Sequence, residues 1–177
     1  MTVKNIKDKI EEYFFVNPTV KLRVRQIERE LNLSLPSVIR YVKELEKEKI
    51  LIKSETGNVV FYSGDRISKN FLLEKKLFNI RNLYSSGIID FLIMELSNPV
   101  IIVFGSYAKG EDIENSDIDL YIETPSKKEV KLEKFEKMLK RKIQVFFHKN
   151  IGEIKNLGLA NNILNGIRLN GLVEVLK

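Results

Sequence analysis

The chain has 177 residues, 44% of them hydrophobic and 31% charged, with a formal net charge of +6 at pH 7. This length suits one ordinary domain or two small ones, and the composition is that of a soluble globular protein. With no cysteine and one histidine, the sequence excludes disulfides and thiolate metal sites and argues against a zinc cluster. No apolar run reaches bilayer-spanning length and the first residues lack a signal-peptide pattern, so we predict a cytoplasmic protein without membrane contact.

The positive charge is spread evenly along the chain. Basic and acidic residues number 12 and 10 in residues 1–65, 5 and 3 in residues 66–97, and 13 and 11 in residues 98–177. The charge therefore permits a nucleic acid or nucleotide partner, but it does not locate a binding face.

The first 63 residues are predicted to form three helices and a hairpin. Apolar residues three or four positions apart, beginning with Val3, indicate a helix over residues 3–16 that Asn17-Pro18 closes. Ser34 is the predicted cap of the third helix, with Pro36 in its first turn. The inward stripe of that helix is predicted to be Val38, Ile39, Val42 and Leu45. The other predicted elements are an extended segment over 20–22, a helix within 24–31, and strands over 50–53 and 59–62 joined by residues 55–58.

This order of elements resembles the winged helix-turn-helix family. In that fold the third helix enters the major groove and the hairpin lies along the DNA backbone. The resemblance implies binding of duplex DNA, with these candidate contacts: Arg23, Arg25, Ser37, Arg40, Tyr41 and Lys43. Two alternatives stay open, because the charged residues 43–48 also fit a solvated helix face and winged helices also serve as protein-interaction modules.

Residues 66–97 show helical periodicity with one break, at residues 85–87. We interpret residues 66–87 as a helical connector, whose apolar stripe belongs to a core or to a homodimer contact. Residues 88–96 are almost wholly apolar, which favours a buried helix that opens the last domain. The predicted domains are therefore residues 1–65, 66–87 and 88–177.

The last domain is predicted to be an α/β unit that carries a phosphate-binding turn and a pair of acidic residues. A strand over 100–104 leads into Gly105-Ser106, where backbone N–H groups and a following helix can approach a phosphate. A strand over 118–123 carries Asp117 and Asp119, whose i, i+2 spacing of roughly 6–7 Å suits oxygen ligands of Mg²⁺. Further predicted elements are a helix over 129–140, a strand over 143–147 and a helical segment around 154–164.

The pattern Gly105-Ser106, Ala108, Gly110 and Ser116-Asp117-Ile118-Asp119-Leu120 resembles the DNA polymerase β-like nucleotidyltransferase superfamily, in particular the minimal nucleotidyltransferases. The resemblance implies transfer of a nucleoside monophosphate from a nucleoside triphosphate to a hydroxyl. It implies that Gly105, Ser106 and Ser116 bind the nucleotide and that Asp117 and Asp119 hold Mg²⁺ or Mn²⁺. The predicted fold class is α+β, a winged helix-turn-helix followed by a nucleotidyltransferase domain with a small mixed sheet.

One position departs from the superfamily pattern. A third metal-binding carboxylate is expected on the strand after the aspartate pair, and the matching residue is Gln144. Glutamine is neutral and cannot take a proton from an attacking hydroxyl. Three interpretations stay open: Gln144 is tolerated, Glu123 assists from roughly 13 Å away, or the domain binds nucleotide without turnover. Glu123 is interpreted as a solvated strand end and His148 as a surface residue just past the next strand.

Two classes of function therefore compete. The first is an Mg²⁺-dependent nucleotidyltransferase with an unidentified acceptor. The second is a weak or inactive nucleotide-binding regulator that binds DNA, or an antitoxin-like protein. Minimal nucleotidyltransferases resemble the antitoxin half of toxin–antitoxin pairs, which implies a protein partner.

Overall fold

The computed structural model describes residues 5–174, so Val3 lies outside the described residues. The chain forms two compact units, Met1–Phe78 and Asn79–Lys177. The boundary between them falls within one helix, α4 (Lys69–Ser86). Across residues 5–174, no helix combines the length and apolar character that a bilayer crossing requires. The domain limits at residues 65 and 88 stay a prediction.

The N-terminal unit contains three helices followed by a hairpin, in the predicted order. The elements are α1 (Ile6–Val16), α2 (Val24–Leu31), α3 (Leu35–Lys47), β1 (Leu51–Thr56) and β2 (Val59–Gly64). Ser34 is the N-cap residue of α3 and Pro36 lies in its first turn, as predicted. In the extended segment before α2, Leu22 pairs with Tyr62 of β2 as an isolated bridge. The assignment to the winged-helix family stays a prediction.

The hairpin turn is shorter than predicted. The strands continue to Thr56 and resume at Val59, so Gly57 and Asn58 alone form the turn. Both have positive φ, 55° and 61°, which is the geometry of a two-residue turn that matches the twist of the strands.

A single hydrophobic core holds the N-terminal unit together. Phe14, Ile27 and Val42 are fully buried, and Phe71 at the start of α4 packs against the same cluster. The buried stripe of α3 is narrower than predicted: Val38, Val42 and Leu45 lie inside, whereas Ile39 is 40% exposed because it projects about 100° away from Val38 around the helix.

The C-terminal unit has a small mixed sheet, as predicted, and the sheet has four strands rather than the three that the sequence indicated. Its elements after α4 are α5 (Ile88–Glu95), β3 (Val100–Phe104), α6 (Gly105–Lys109), β4 (Ile118–Glu123), α7 (Glu133–Leu139), β5 (Ile143–His148), a 3₁₀ turn (Ile151–Glu153), α8 (Leu157–Leu164) and β6 (Ile167–Asn170). The strand order is β5-β4-β3-β6. Strands β4 and β5 are parallel, and β3 is antiparallel to both β4 and β6.

Two parts of this unit differ from the sequence prediction. Helix α7 begins at Glu133 rather than at residue 129. Val130 and Leu132 pack against the core from outside the helix, and their spacing of two residues is not helical. Strand β6 was not predicted from the sequence; it pairs antiparallel with β3.

Each face of the sheet has its own hydrophobic cluster. One face carries Ile101, Val103, Leu120 and Ile122, which pack with α5 and with Phe135 of α7. The opposite face carries Phe104 and Tyr121, which pack with Ile154 and with Ile163 of α8. Because both faces are covered, the ends of the strands are the open positions, and the acidic pair lies at one of them.

Candidate functional site

The glycine-serine turn follows directly from β3. Gly105 begins the short helix α6 with φ of +72°, a left-handed conformation that favours glycine. Tyr107 and Ala108 are buried and anchor the helix, and Gly110 ends it. A Cβ placed on Gly105 would fall against the Oδ2 atom of Asp119. The glycine is therefore required by backbone geometry and also leaves room for the Asp119 carboxylate.

The two aspartates lie at the start of β4 in different environments. Asp119 is within the strand, pairs with Phe104 of β3 and is half-buried. Asp117 comes immediately before the first strand residue, Ile118, and is exposed, so only one aspartate of the pair is in the strand as predicted. Burial, and next the negative charge of Asp117, raise the pKa of Asp119 above its ordinary value. The two carboxylates are therefore close enough to interact electrostatically.

Ser116 closes the loop that leads to Asp117. Its hydroxyl accepts a hydrogen bond from the backbone N–H of Ile113 at 2.9 Å, and its own N–H donates to the Ile113 carbonyl at 3.0 Å. This bonding gives Ser116 a structural role in the loop. Its contact with a nucleotide stays a prediction.

Gln144 lies beside the acidic pair. In the parallel pairing of β4 with β5, it stands opposite Asp119, so the two side chains share a face of the sheet. Gln144 is exposed. Within residues 5–174, no group of three or more histidine, cysteine or acidic side chains is placed to hold a metal ion. The register therefore brings a neutral amide to the position beside Asp119.

Glu123 and His148 belong to the other end of the same strands. Glu123 accepts a hydrogen bond from the Tyr121 hydroxyl at 2.9 Å, so it is half-buried and engaged rather than simply solvated. His148 is the last residue of β5 instead of lying past it, and its ring stacks on Tyr121 with centroids 5.8 Å apart. The strand length separates both residues from Asp119.

A cavity of about 520 Å³ opens beside Asp117. One wall is the loop of residues 114–117, and the opposite wall comes from α7 and from residues 140–142 before β5. This volume is in the range of small-ligand sites. Of the predicted residues, Ser116 and Asp117 line it.

The C-terminal unit can now be compared with known protein families. Residues 87–169 match the family model described as "Nucleotidyltransferase domain". The matched segment runs from the start of α5 into β6 and includes the glycine-serine turn and both aspartates. The match supports a nucleotidyl-transfer function in general terms, and a nucleotidyltransferase domain implies a nucleoside triphosphate substrate. No curated protein and no solved structure matches the chain.

The six candidate DNA contacts of the N-terminal unit separate into two groups. Arg25, Arg40 and Lys43 are exposed. Arg23 is also exposed, but its Nε donates to the Gln26 side chain at 3.3 Å. Tyr41 is half-buried and its hydroxyl accepts a hydrogen bond from Arg40 at 3.1 Å.

The side chain of Ser37 makes a hydrogen bond within the start of its own helix. Its hydroxyl accepts a hydrogen bond from the Ser34 hydroxyl at 2.7 Å, and the residue is half-buried. Of the predicted residues on α3, Arg40 and Lys43 are the two that are exposed, and the Arg40 guanidinium is held against Tyr41.

Sequence analysis missed three lysines near Lys43. They line a cavity of about 490 Å³ between the end of α3 and the hairpin, together with Glu46 and Tyr62; the lysines are Lys47, Lys49 and Lys53. The i, i+4 spacing of Lys43 and Lys47 was a usable signal. Lys53 joins them only through its pairing with Tyr62 across the hairpin.

Proposed function

We propose that the C-terminal unit binds a nucleoside triphosphate with Mg²⁺ or Mn²⁺ and transfers its nucleoside monophosphate to a hydroxyl acceptor. The observation that carries the proposal is the contact between the Gly105 position and the Asp119 carboxylate. It joins a turn suited to phosphate with a carboxylate suited to a cation, inside the segment that matches the nucleotidyltransferase family.

The acidic pair fits a divalent cation. Asp117 and Asp119 offer carboxylate oxygens, the donors that Mg²⁺ prefers. Burial first, and next the negative charge of Asp117, raise the pKa of Asp119, and a bound cation would offset both effects. Such a cation supplies neutralisation of charge on the transferring phosphoryl group. Asp117, being exposed, is reachable by a ligand, while Asp119 is held by the sheet.

Two roles remain, which are binding of the triphosphate and acceptance of the proton from the acceptor hydroxyl. The backbone N–H groups at Gly105 and Ser106 are assigned to the triphosphate oxygens. In the reaction a bond forms between the acceptor oxygen and the α-phosphorus, the bond to the β-phosphate oxygen breaks, and pyrophosphate leaves. The acceptor's proton passes to a carboxylate or to water, because the amide of Gln144 cannot take it.

The test uses the 177-residue chain with Mg²⁺, each α-labelled nucleoside triphosphate and a panel of hydroxyl acceptors. Label transfer and pyrophosphate release are expected from the natural chain. Both should disappear in the double variant Asp117→Asn/Asp119→Asn. The matched control is Glu123→Gln, which removes a carboxylate at the other end of β4 and should leave the rate unchanged.

Two negative results have different meanings. Nucleotide binding without label transfer or pyrophosphate release contradicts the enzyme proposal and favours a nucleotide-binding regulator. Absence of nucleotide binding as well contradicts the site itself.

For the N-terminal unit we propose binding of duplex DNA, supported by the lysine-lined cavity between the end of α3 and the hairpin. The four lysines around that cavity outnumber its one acidic residue, Glu46, which suits a phosphate backbone. The binding constant should fall with added salt, and Lys53→Ala should reduce the logarithmic salt slope by about 1 if that side chain contacts a phosphate.

A titration of duplexes at two salt concentrations tests this proposal. Lys9→Ala, an exposed lysine on α1, is the control and should leave the slope unchanged. The proposal is contradicted if the natural chain and Lys53→Ala bind every duplex equally and weakly. That result would favour a protein-interaction module, which is what an antitoxin-like role requires.

A further inference from the structure

A buried charged cluster lies in the C-terminal unit, and one of its members, Arg141, also lines the cavity beside Asp117. The side chains of Asp112 and Arg141 are only 1% and 6% exposed, and Asn79 is equally buried. Asp112 belongs to residues 111–117, the segment between α6 and β4, while Arg141 lies two residues before β5 and Asn79 lies on α4. The cluster therefore joins three parts of the unit that are distant in sequence.

The contacts within the cluster converge on the Asp112 carboxylate. Its Oδ1 accepts a hydrogen bond from the Asn79 amide at 2.7 Å, and its Oδ2 lies 3.5 Å from Nη2 of Arg141. The Asn79 amide also donates to the Tyr107 carbonyl at 2.9 Å, and the Tyr107 hydroxyl donates back to the Asn79 carbonyl at 3.4 Å. These hydrogen bonds and the ion pair connect the segment before Asp117 to α4, to α6 and to the residues just before β5.

The position of the cluster in the chain indicates which part of the candidate site these contacts hold in place. Asp112 lies between Gly105-Ser106 and Asp117, the two halves of the candidate site. Burying an ion pair is a poor way to gain stability, because apolar residues of similar size usually stabilise a fold as well or better. A buried, directional pair does fix one arrangement of the groups that it joins.

We propose that Asp112, Arg141 and Asn79 are positioning residues, which hold the segment of residues 111–117 so that Asp117 keeps its place relative to the Gly105 turn. Their link to catalysis rests on the proposed function, whereas their effect on the segment is measurable without any ligand.

The deciding variant is the double change Asp112→Asn/Arg141→Met. It removes both charges of the pair together, and the new amide oxygen can still accept from Asn79, so the melting temperature should stay close to that of the natural chain. The tether between Asp112 and the start of β5 is nevertheless lost. The single change Arg141→Met leaves the Asp112 charge without its guanidinium and should melt earlier.

Two measurements are made on each variant. Amide hydrogen exchange at Ile113 and Ser116, whose N–H groups bond within the loop, should be roughly tenfold faster in the double variant, while amides of β3 and β4 keep their rates. The dissociation constant of a non-hydrolysable nucleoside triphosphate with Mg²⁺ should rise roughly 10- to 100-fold, as is typical for losing a support behind a metal ligand.

The control is Glu95→Gln, which breaks the exposed ion pair with Lys128 in the same unit and should change neither measurement. The proposal is overturned if amide exchange at Ile113 and Ser116 is as slow in the double variant as in the natural chain. It is also overturned if exchange becomes faster by a similar factor throughout the C-terminal unit. If the natural chain binds no nucleotide, the proposed function fails, and the exchange rates alone decide the positioning role.

Discussion

Gly105→Ala tests the central contact of the candidate site. Gly105 has φ of +72°, and an alanine in this left-handed conformation costs about 1–2 kcal/mol. The new Cβ also falls against Oδ2 of Asp119, whose backbone is held by pairing with Phe104. Relieving such overpacking typically costs a further 1–3 kcal/mol or so. We therefore expect the free energy of unfolding to fall by about 2–5 kcal/mol in total.

Gly87→Ala separates the two contributions. Gly87 has φ of +77°, and a Cβ there would meet nothing within 4 Å. This control should lose only the backbone part, about 1–2 kcal/mol, in urea unfolding followed by circular dichroism. When Asp119 is already alanine, adding Gly105→Ala should lower the free energy of unfolding by only that smaller amount, because the carboxylate that the new Cβ would displace is absent.

The same variants are then titrated with a non-hydrolysable nucleoside triphosphate and Mg²⁺ by calorimetry. Gly105→Ala should abolish binding, because the Asp119 carboxylate is pushed from its place, whereas Gly87→Ala should bind normally. The reasoning is refuted if both alanine variants lose the same stability and both still bind the nucleotide.

Three further predictions concern other residues. Burial raises the pKa of Glu11 from 4.5 to about 7, so stability should fall as pH rises from 4.5 through 7. Glu11→Gln should remove that slope and, after allowing for solvent screening, add about 1–2 kcal/mol at pH 8 in urea unfolding. Ser116→Ala should lower stability by about 1 kcal/mol in urea unfolding, because the Ile113 N–H loses its loop hydrogen bond to the Ser116 hydroxyl. Gln144→Asp should tighten Mn²⁺ binding, measured by electron paramagnetic resonance.

The sequence predicted most elements of the structure where local signals were strong. Helix α3 begins directly after Ser34 and a strand runs over 100–104, as the pattern predicted, although the Ser34 hydroxyl donates to Ser37 and makes no capping hydrogen bond. The predicted break at residues 85–87 is confined to Gly87, because α4 continues to Ser86. Each of these features depends on residues that are close in sequence, such as a proline in the first turn, a glycine or a continuous apolar run. The glycine-serine turn was predictable for the same reason, because its glycine reports a backbone conformation directly.

Contacts between distant residues were not predictable in this way. Asp112 and Arg141 are 29 positions apart, and nothing local to either residue reveals that both are buried. The lysine-lined cavity was equally hard to predict, because Lys53 lies beside the other lysines only through the register of the hairpin. Strand β6 forms because β3 offers an unpaired edge, although its own four residues carry a weak signal.

Gln144 shows where sequence and structure had to be combined. The sequence supplied a neutral side chain at a position where the resemblance implies a carboxylate, and the register of β4 with β5 sets that side chain beside Asp119. The described site then has two negative charges, from Asp117 and Asp119, which balance one divalent cation. A second cation would have to be balanced by the triphosphate itself, because an amide oxygen can coordinate a metal but adds no charge. In the proposed function, this charge balance favours a single cation until the nucleotide binds, and the acceptor's proton leaves without help from Gln144.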